Sequence, residues 1–218
     1  MSQASTYFSL IYKILSILYL PPSYHDQNEI KQMLQELKNP EKTKPIELLC
    51  PELVETLYDF IQHIEESYND KYYKADLTRV FISSYDKTPC PPYESIYTGQ
   101  LSRHRSILLP HVVSRLRSFY KRLGVESTGL PGITVDHLST ELEYMALVHE
   151  LLSKPNDTIL YNDLEKIRKE FVGHLLTWIP VLVECIENNA ESELLKMQAR
   201  LLDELVRCDE KLIDIQLS

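Results

Sequence analysis

The chain reads as an all-α protein: a single globular helical bundle of roughly eight to eleven helices spanning residues 1–218. Three observations predict this. Apolar residues recur at i, i+3, i+4 spacing through most of the chain. Glycine occurs only five times, too rarely for a fold rich in tight turns or phosphate-cradling loops. No convincing pair of alternating strands and no internal repeat interrupts the helical pattern.

Each element follows from its pattern. Ser5 to Leu20 is a mostly apolar helix stopped by Pro21-Pro22. Gln27 to Leu37 places Ile30, Met33, Leu34 and Leu37 on one face. After a charged linker at 39–45, Leu53, Val54, Leu57, Tyr58, Ile61 and Ile64 form the stripe of a core-facing helix. Tyr72 to Ile82 is the next helix, and Ser83 to Gly99 reads as irregular. Pro110 opens a helix to Leu123, closed by Gly124. Its outer face is basic (Arg115, Arg117, Lys121, Arg122) and reads as solvated. A second irregular stretch, 124–135, leads to Asp136, the expected N-cap or first-turn acid of a helix to about Ser153. Further helices follow at 159–174, continuing through 178–186 with a kink or break at Pro180, and at 191–215.

Composition narrows the function. Hydrophobic residues make up 44% of the 218 positions, enough for a real core. The net charge of −9 argues against nucleic-acid binding and suits a protein that receives something basic. The four cysteines, Cys50, Cys90, Cys185 and Cys208, form no CxxC pair. A reducing compartment is the expectation, without a disulfide framework. Residues 7–20 are apolar but lack a basic lead-in and a small-residue cleavage site. They are also too short to span a bilayer. Stable membrane insertion is therefore not expected.

The sharpest local constellation is Asp136-His137 with Glu141 four residues on. One His-Glu pair falls short of the three or four ligands of a zinc site, and HExxH is absent. The alternatives are a helix-capping Asp beside a surface His, a peptide-binding rim, or a metal-dependent hydrolase using His137, Glu141 and another His. Pro91-Pro92-Tyr93-Glu94-Ser95-Ile96-Tyr97 sets two aromatics beside a rigid proline pair, as a peptide groove or as core packing. His174 and Trp178 share a helix face and read as structural, and His149 reads as a satisfied core histidine. Arg103-His104-Arg105 is a small basic spot. Walker A, GxGxxG and GxSxG patterns are absent.

Three segments in this order resemble the TorD/DmsD/NarJ-like redox-enzyme maturation chaperones. They are Arg79-Val80-Phe81-Ile82 with Pro91 to Tyr97, then Asp136-His137-Leu138-Ser139-Thr140-Glu141-Leu142-Glu143-Tyr144-Met145, then His174-Leu175-Leu176-Thr177-Trp178-Ile179-Pro180. Val80 stands where the family usually has leucine, and Thr134-Val135 where a proline usually precedes the Asp-His pair. The resemblance implies a TorD-like fold and a cytoplasmic, non-enzymatic chaperone without a cofactor. Its partner would be the precursor of a molybdenum-cofactor oxidoreductase and that precursor's twin-arginine leader. A nitrate-reductase-type variant would hold a subunit that is not exported, and a plain scaffold is the remaining class. A monomer or a helix-exchanged dimer fits, with 124–135 as the hinge.

A twin-arginine leader is a pair of cations followed by an apolar stretch, so its receptor needs carboxylates beside an apolar groove. Asp136, with Glu141, is expected to meet the arginines, and His137 to shape or charge-tune the rim. Phe81, Pro92, Tyr93 and Tyr97 are expected to line the groove, and Ser95 to bond the peptide backbone. No metal ligand or catalytic residue is assigned.

Overall fold

A computed structural model describes residues 2–39, 44, 46–68, 70–82, 88–98, 109–125, 132–154 and 157–216. Ten α-helices occupy the described residues. They are α1 (Ser2–Leu18), α2 (Gln27–Leu37), α3 (Pro51–Ser67), α4 (Lys71–Phe81), α5 (Glu94–Thr98), α6 (Pro110–Arg122), α7 (Leu138–Ser153), α8 (Thr158–Leu175), α9 (Ile179–Asn189) and α10 (Glu193–Gln216). A short 3-10 turn, Pro22–Tyr24, follows α1. No β-strand is present among these residues; Tyr93 and His137 form one isolated antiparallel bridge. The all-α expectation holds.

Helices α1 and α7 form the centre. Tyr7, Phe8, Ile11, Tyr12, Ile14, Leu15 and Leu18 are all buried, so α1 is apolar almost all round because it is enclosed almost all round. It lies along α7, where Ser9 Oγ donates to the carbonyl of Ala146 at 2.8 Å. Helix α10 forms the other main wall, packing on α3, α9, α8 and α4.

Local chemistry sets most boundaries. The side chains of Asp26, Asp70 and Asp157 accept N–H groups in the first turns of α2, α4 and α8. Prolines open α3, α6 and α9. Gly124 takes φ +69° just past α6, a conformation that disfavours any Cβ.

Of the kink or break expected at Pro180, the structure has the break: Pro180 sits in the first turn of a separate helix, α9, where its missing N–H costs nothing. Three expectations need correction. The stretch read as irregular contains α5. The N-cap of α7 is His137, not Asp136, which lies one residue too early. Most consequentially, all four cysteines are paired, Cys50 with Cys208 and Cys90 with Cys185. Each pair joins positions far apart in sequence, so spacing gave no sign of the pairing.

Candidate functional site

Three chain segments meet at the start of α7. Residues 91–98 carry Pro92, Tyr93, Glu94, Ser95 and Tyr97 up to it through backbone hydrogen bonds. Leu138 N–H donates to the carbonyl of Pro92 at 2.8 Å, and Glu94 N–H to that of Asp136 at 2.9 Å. The Tyr93 and His137 rings meet edge to face with centroids 4.8 Å apart. Helix α8 then brings His174 against Glu141, Nε2 to Oε2 at 3.1 Å. Segments that lie apart in sequence, 91–97, 136–145 and 174–180, are thus one structural unit.

Its interior is polar. Glu94 and Glu141 are both 0% exposed and Asp136 is 1% exposed, so charge here must be matched internally. Arg115 reaches Glu94 Oε1 from α6 while its side chain stays 45% exposed on the basic face. Arg122 likewise pairs with Glu170. His174 Nε2 also stands 3.3 Å from Glu94 Oε2. Asp136 Oδ1 accepts the hydroxyl of Thr134 at 2.5 Å. Burial raises the Glu141 carboxyl to about 7, with Glu94 and Asp136 adding to the effect against the pull of His174. Burial pushes His174 down, but its bonds to Glu141 and Glu94 outweigh this and lift it to about 9. Both shifts keep a proton within the cluster.

His137 behaves differently. Burial lowers it to about 4, with Asp136 opposing only in part. Its Nδ1 accepts the N–H of Ser139 at 3.1 Å, which fixes a neutral ring as the cap of α7. It is neither the surface histidine nor the charge-tuning group expected of it, because the cap needs the lone pair that a proton would occupy.

The other expected groove residues divide. Phe81 is buried at 5% and stacks on Tyr19 at 5.8 Å, so it is core. Ser95 Oγ accepts the Leu109 N–H at 3.3 Å, internally rather than from a ligand. Pro92 is buried, and Tyr93 is half-buried. Tyr97 is partly exposed, lies over Trp178 at 5.8 Å and donates its hydroxyl to the Pro91 carbonyl at 2.9 Å. Asp136 and Glu141 do not stand at a rim. Arg103-His104-Arg105 lies outside the described residues.

An open groove does lie beside this unit, between α1, α6 and α7. Tyr120, Val125, Tyr144, Ala146 and Leu147 give it an apolar wall, and its volume is about 450 Å³. Glu143 and Glu150 line it with Lys13. The sequence analysis assigned no role to Glu143 or Glu150. The available signal was their seven-residue spacing, which puts both on the face opposite the core stripe.

The nitrate reductase delta subunit family model matches residues 39–184, more than half of the chain. A crystal structure of a proposed redox enzyme maturation protein from Archaeoglobus fulgidus is similar at 22% identity and a TM-score of 0.46, over 98% of this chain and 94% of that one. No curated protein matches.

Proposed function

The chain belongs to the nitrate reductase delta subunit family, and from that premise we propose that it is a maturation chaperone for a molybdenum-cofactor oxidoreductase. It binds the apo-subunit in the cytoplasm, through the twin-arginine leader where the client has one, and holds it until the cofactor is in place. One observation carries the reading: an apolar groove bordered by carboxylates on an acidic protein. A volume of about 450 Å³ suits several side chains of an apolar segment.

The groove moves the proposed arginine contacts outward. Glu143 and Glu150 hold Lys13 and Lys154 at 3.2 and 2.8 Å, with all four side chains exposed. Such pairs are worth little, and a client arginine offers a bidentate replacement. Asp136, His137 and Glu141 act in this reading by holding the wall in place. Tyr93 and Tyr97 present the partly exposed aromatic edge beside it. No described helix is long and apolar enough to cross a membrane.

The family description favours a second form of the reading, a nitrate-reductase-type client recognised through its folded body. Calorimetry with a leader peptide separates the two. Binding that weakens in a Glu143→Gln, Glu150→Gln variant supports leader recognition at the groove. Capture of apo-subunit lacking any leader, with no peptide binding, supports the second form. Failure to bind either overturns the chaperone reading.

A further inference from the structure

Client binding makes no use of the buried side chains of Glu94, Glu141 and His174. One ligand atom from each lies within 4.8 Å of the other two. His174 Nε2 is 3.1 Å from Glu141 Oε2 and 3.3 Å from Glu94 Oε2. Both separations exceed the roughly 2.7–2.9 Å of a charge-assisted N–H···O bond, and one Nε2–H cannot serve both carboxylates. A tetrahedral ion with bonds of about 2.0–2.1 Å holds its ligand atoms roughly 3.3 Å apart. The separations of 3.1 and 3.3 Å from His174 Nε2 are compatible with such an ion.

A further observation points to a missing cation. Glu94 Oε2 and Glu141 Oε1 are buried without a hydrogen-bond partner among the described residues. Asp136 adds a third carboxyl group to the same buried cluster.

We propose that Glu94, Glu141 and His174 form a closed structural site for a divalent transition-metal ion of the zinc type. One imidazole nitrogen with two carboxylates suits such an ion better than calcium or magnesium, which take all-oxygen shells. Complete burial makes the site structural rather than catalytic. The ion clamps α5, α7 and α8 together, one ligand from each, and so couples metal binding to the folding of the unit. This site is independent of the chaperone reading, and its test involves no client.

Protein purified without chelator is dialysed against Zn²⁺, desalted and assayed for metal. A parallel sample is unfolded and refolded with Zn²⁺, which gives the buried site access. A Co²⁺-loaded sample reports coordination through its visible absorption. The expected result is about one ion retained per chain, an intense tetrahedral Co²⁺ band and a raised melting temperature. Affinity should fall about 100-fold or more in Glu141→Gln and in Glu94→Gln, and stay unchanged in the exposed control Glu66→Gln. The two Gln variants back each other if one fails to fold. No retained ion in either sample overturns the proposal, as does equal binding by the wild type and both cluster variants.

Discussion

Tyr93 and His137 are paired twice, by an antiparallel backbone bridge and by rings that meet edge to face at 4.8 Å. The pairing fixes the 91–98 segment against the cap of α7. Replacing Tyr93 with alanine removes the ring contact but leaves the backbone bridge. We expect a loss of about 1–3 kcal/mol, read as a shift of the urea midpoint at unchanged slope. Tyr93→Phe keeps the ring and should cost less than about 1 kcal/mol.

A second buried network should govern acid stability. Asp209 is 0% exposed and accepts from Tyr12 at 2.8 Å, His149 at 2.8 Å and Arg168 at 2.7 Å. Removing the carboxylate takes from Arg168, which is 3% exposed, its most buried partner and leaves the partly exposed contact with Glu165. Asp209→Ala should therefore cost about 3–5 kcal/mol, well above any exposed ion pair of the molecule. Thermal or urea unfolding at neutral pH measures it.

The same network sets the pH dependence. Burial alone would raise Asp209, but Arg168, His149 and Tyr12 outweigh it and hold the carboxyl far below its usual range. Its contribution is fully present above the unfolded value of about 3.9 and is lost as pH falls toward the folded one. Burial lowers His149, with Asp209 opposing. The unfolded chain therefore binds the His149 proton first, and stability declines once pH drops below about 6.5. Urea midpoints between pH 8 and 3 should show two successive declines (bounds of about those values). His137, also lowered by burial, adds to the upper decline, so His149→Gln should make it shallower without abolishing it; an unchanged upper decline would mean that His149 does not contribute.

The disulfides should stabilise through the lengths of chain they close. Cys50–Cys208 spans 158 residues and Cys90–Cys185 spans 95. Loop entropy gives each an upper value of about 5 kcal/mol. Paired Cys→Ser variants should melt lower, by roughly 2–5 kcal/mol per bridge, and mass spectrometry after alkylation should find no free thiol in the native protein.

The fold was legible because periodicity records burial. The stripe of Leu53, Val54, Leu57, Ile61 and Ile64 is the buried face of α3, with Tyr58 alone of the expected stripe exposed, and α2 begins and ends where its pattern does. His149 was legible as a core histidine, bonded at Nε2 to Asp209. The partners of side chains were not. Glu141 and His174 lie 33 residues apart and Arg115 and Glu94 lie 21 apart, and nothing local in either partner marks the other. Asp136 and His137 look like surface groups because they are polar and precede a helix. The bridge to Tyr93 buries them, and no periodicity signals it. Cysteine spacing was silent for the same reason: pairing is a property of the tertiary fold.

The most direct measurement is a titration with a fluorescent twin-arginine leader peptide and a matched peptide carrying glutamine at both arginines, at low and moderate salt. The groove with Glu143 and Glu150 predicts tighter binding of the arginine peptide by about tenfold or more, with the gap narrowing as salt rises. Equal affinity for the two peptides at low salt would contradict it.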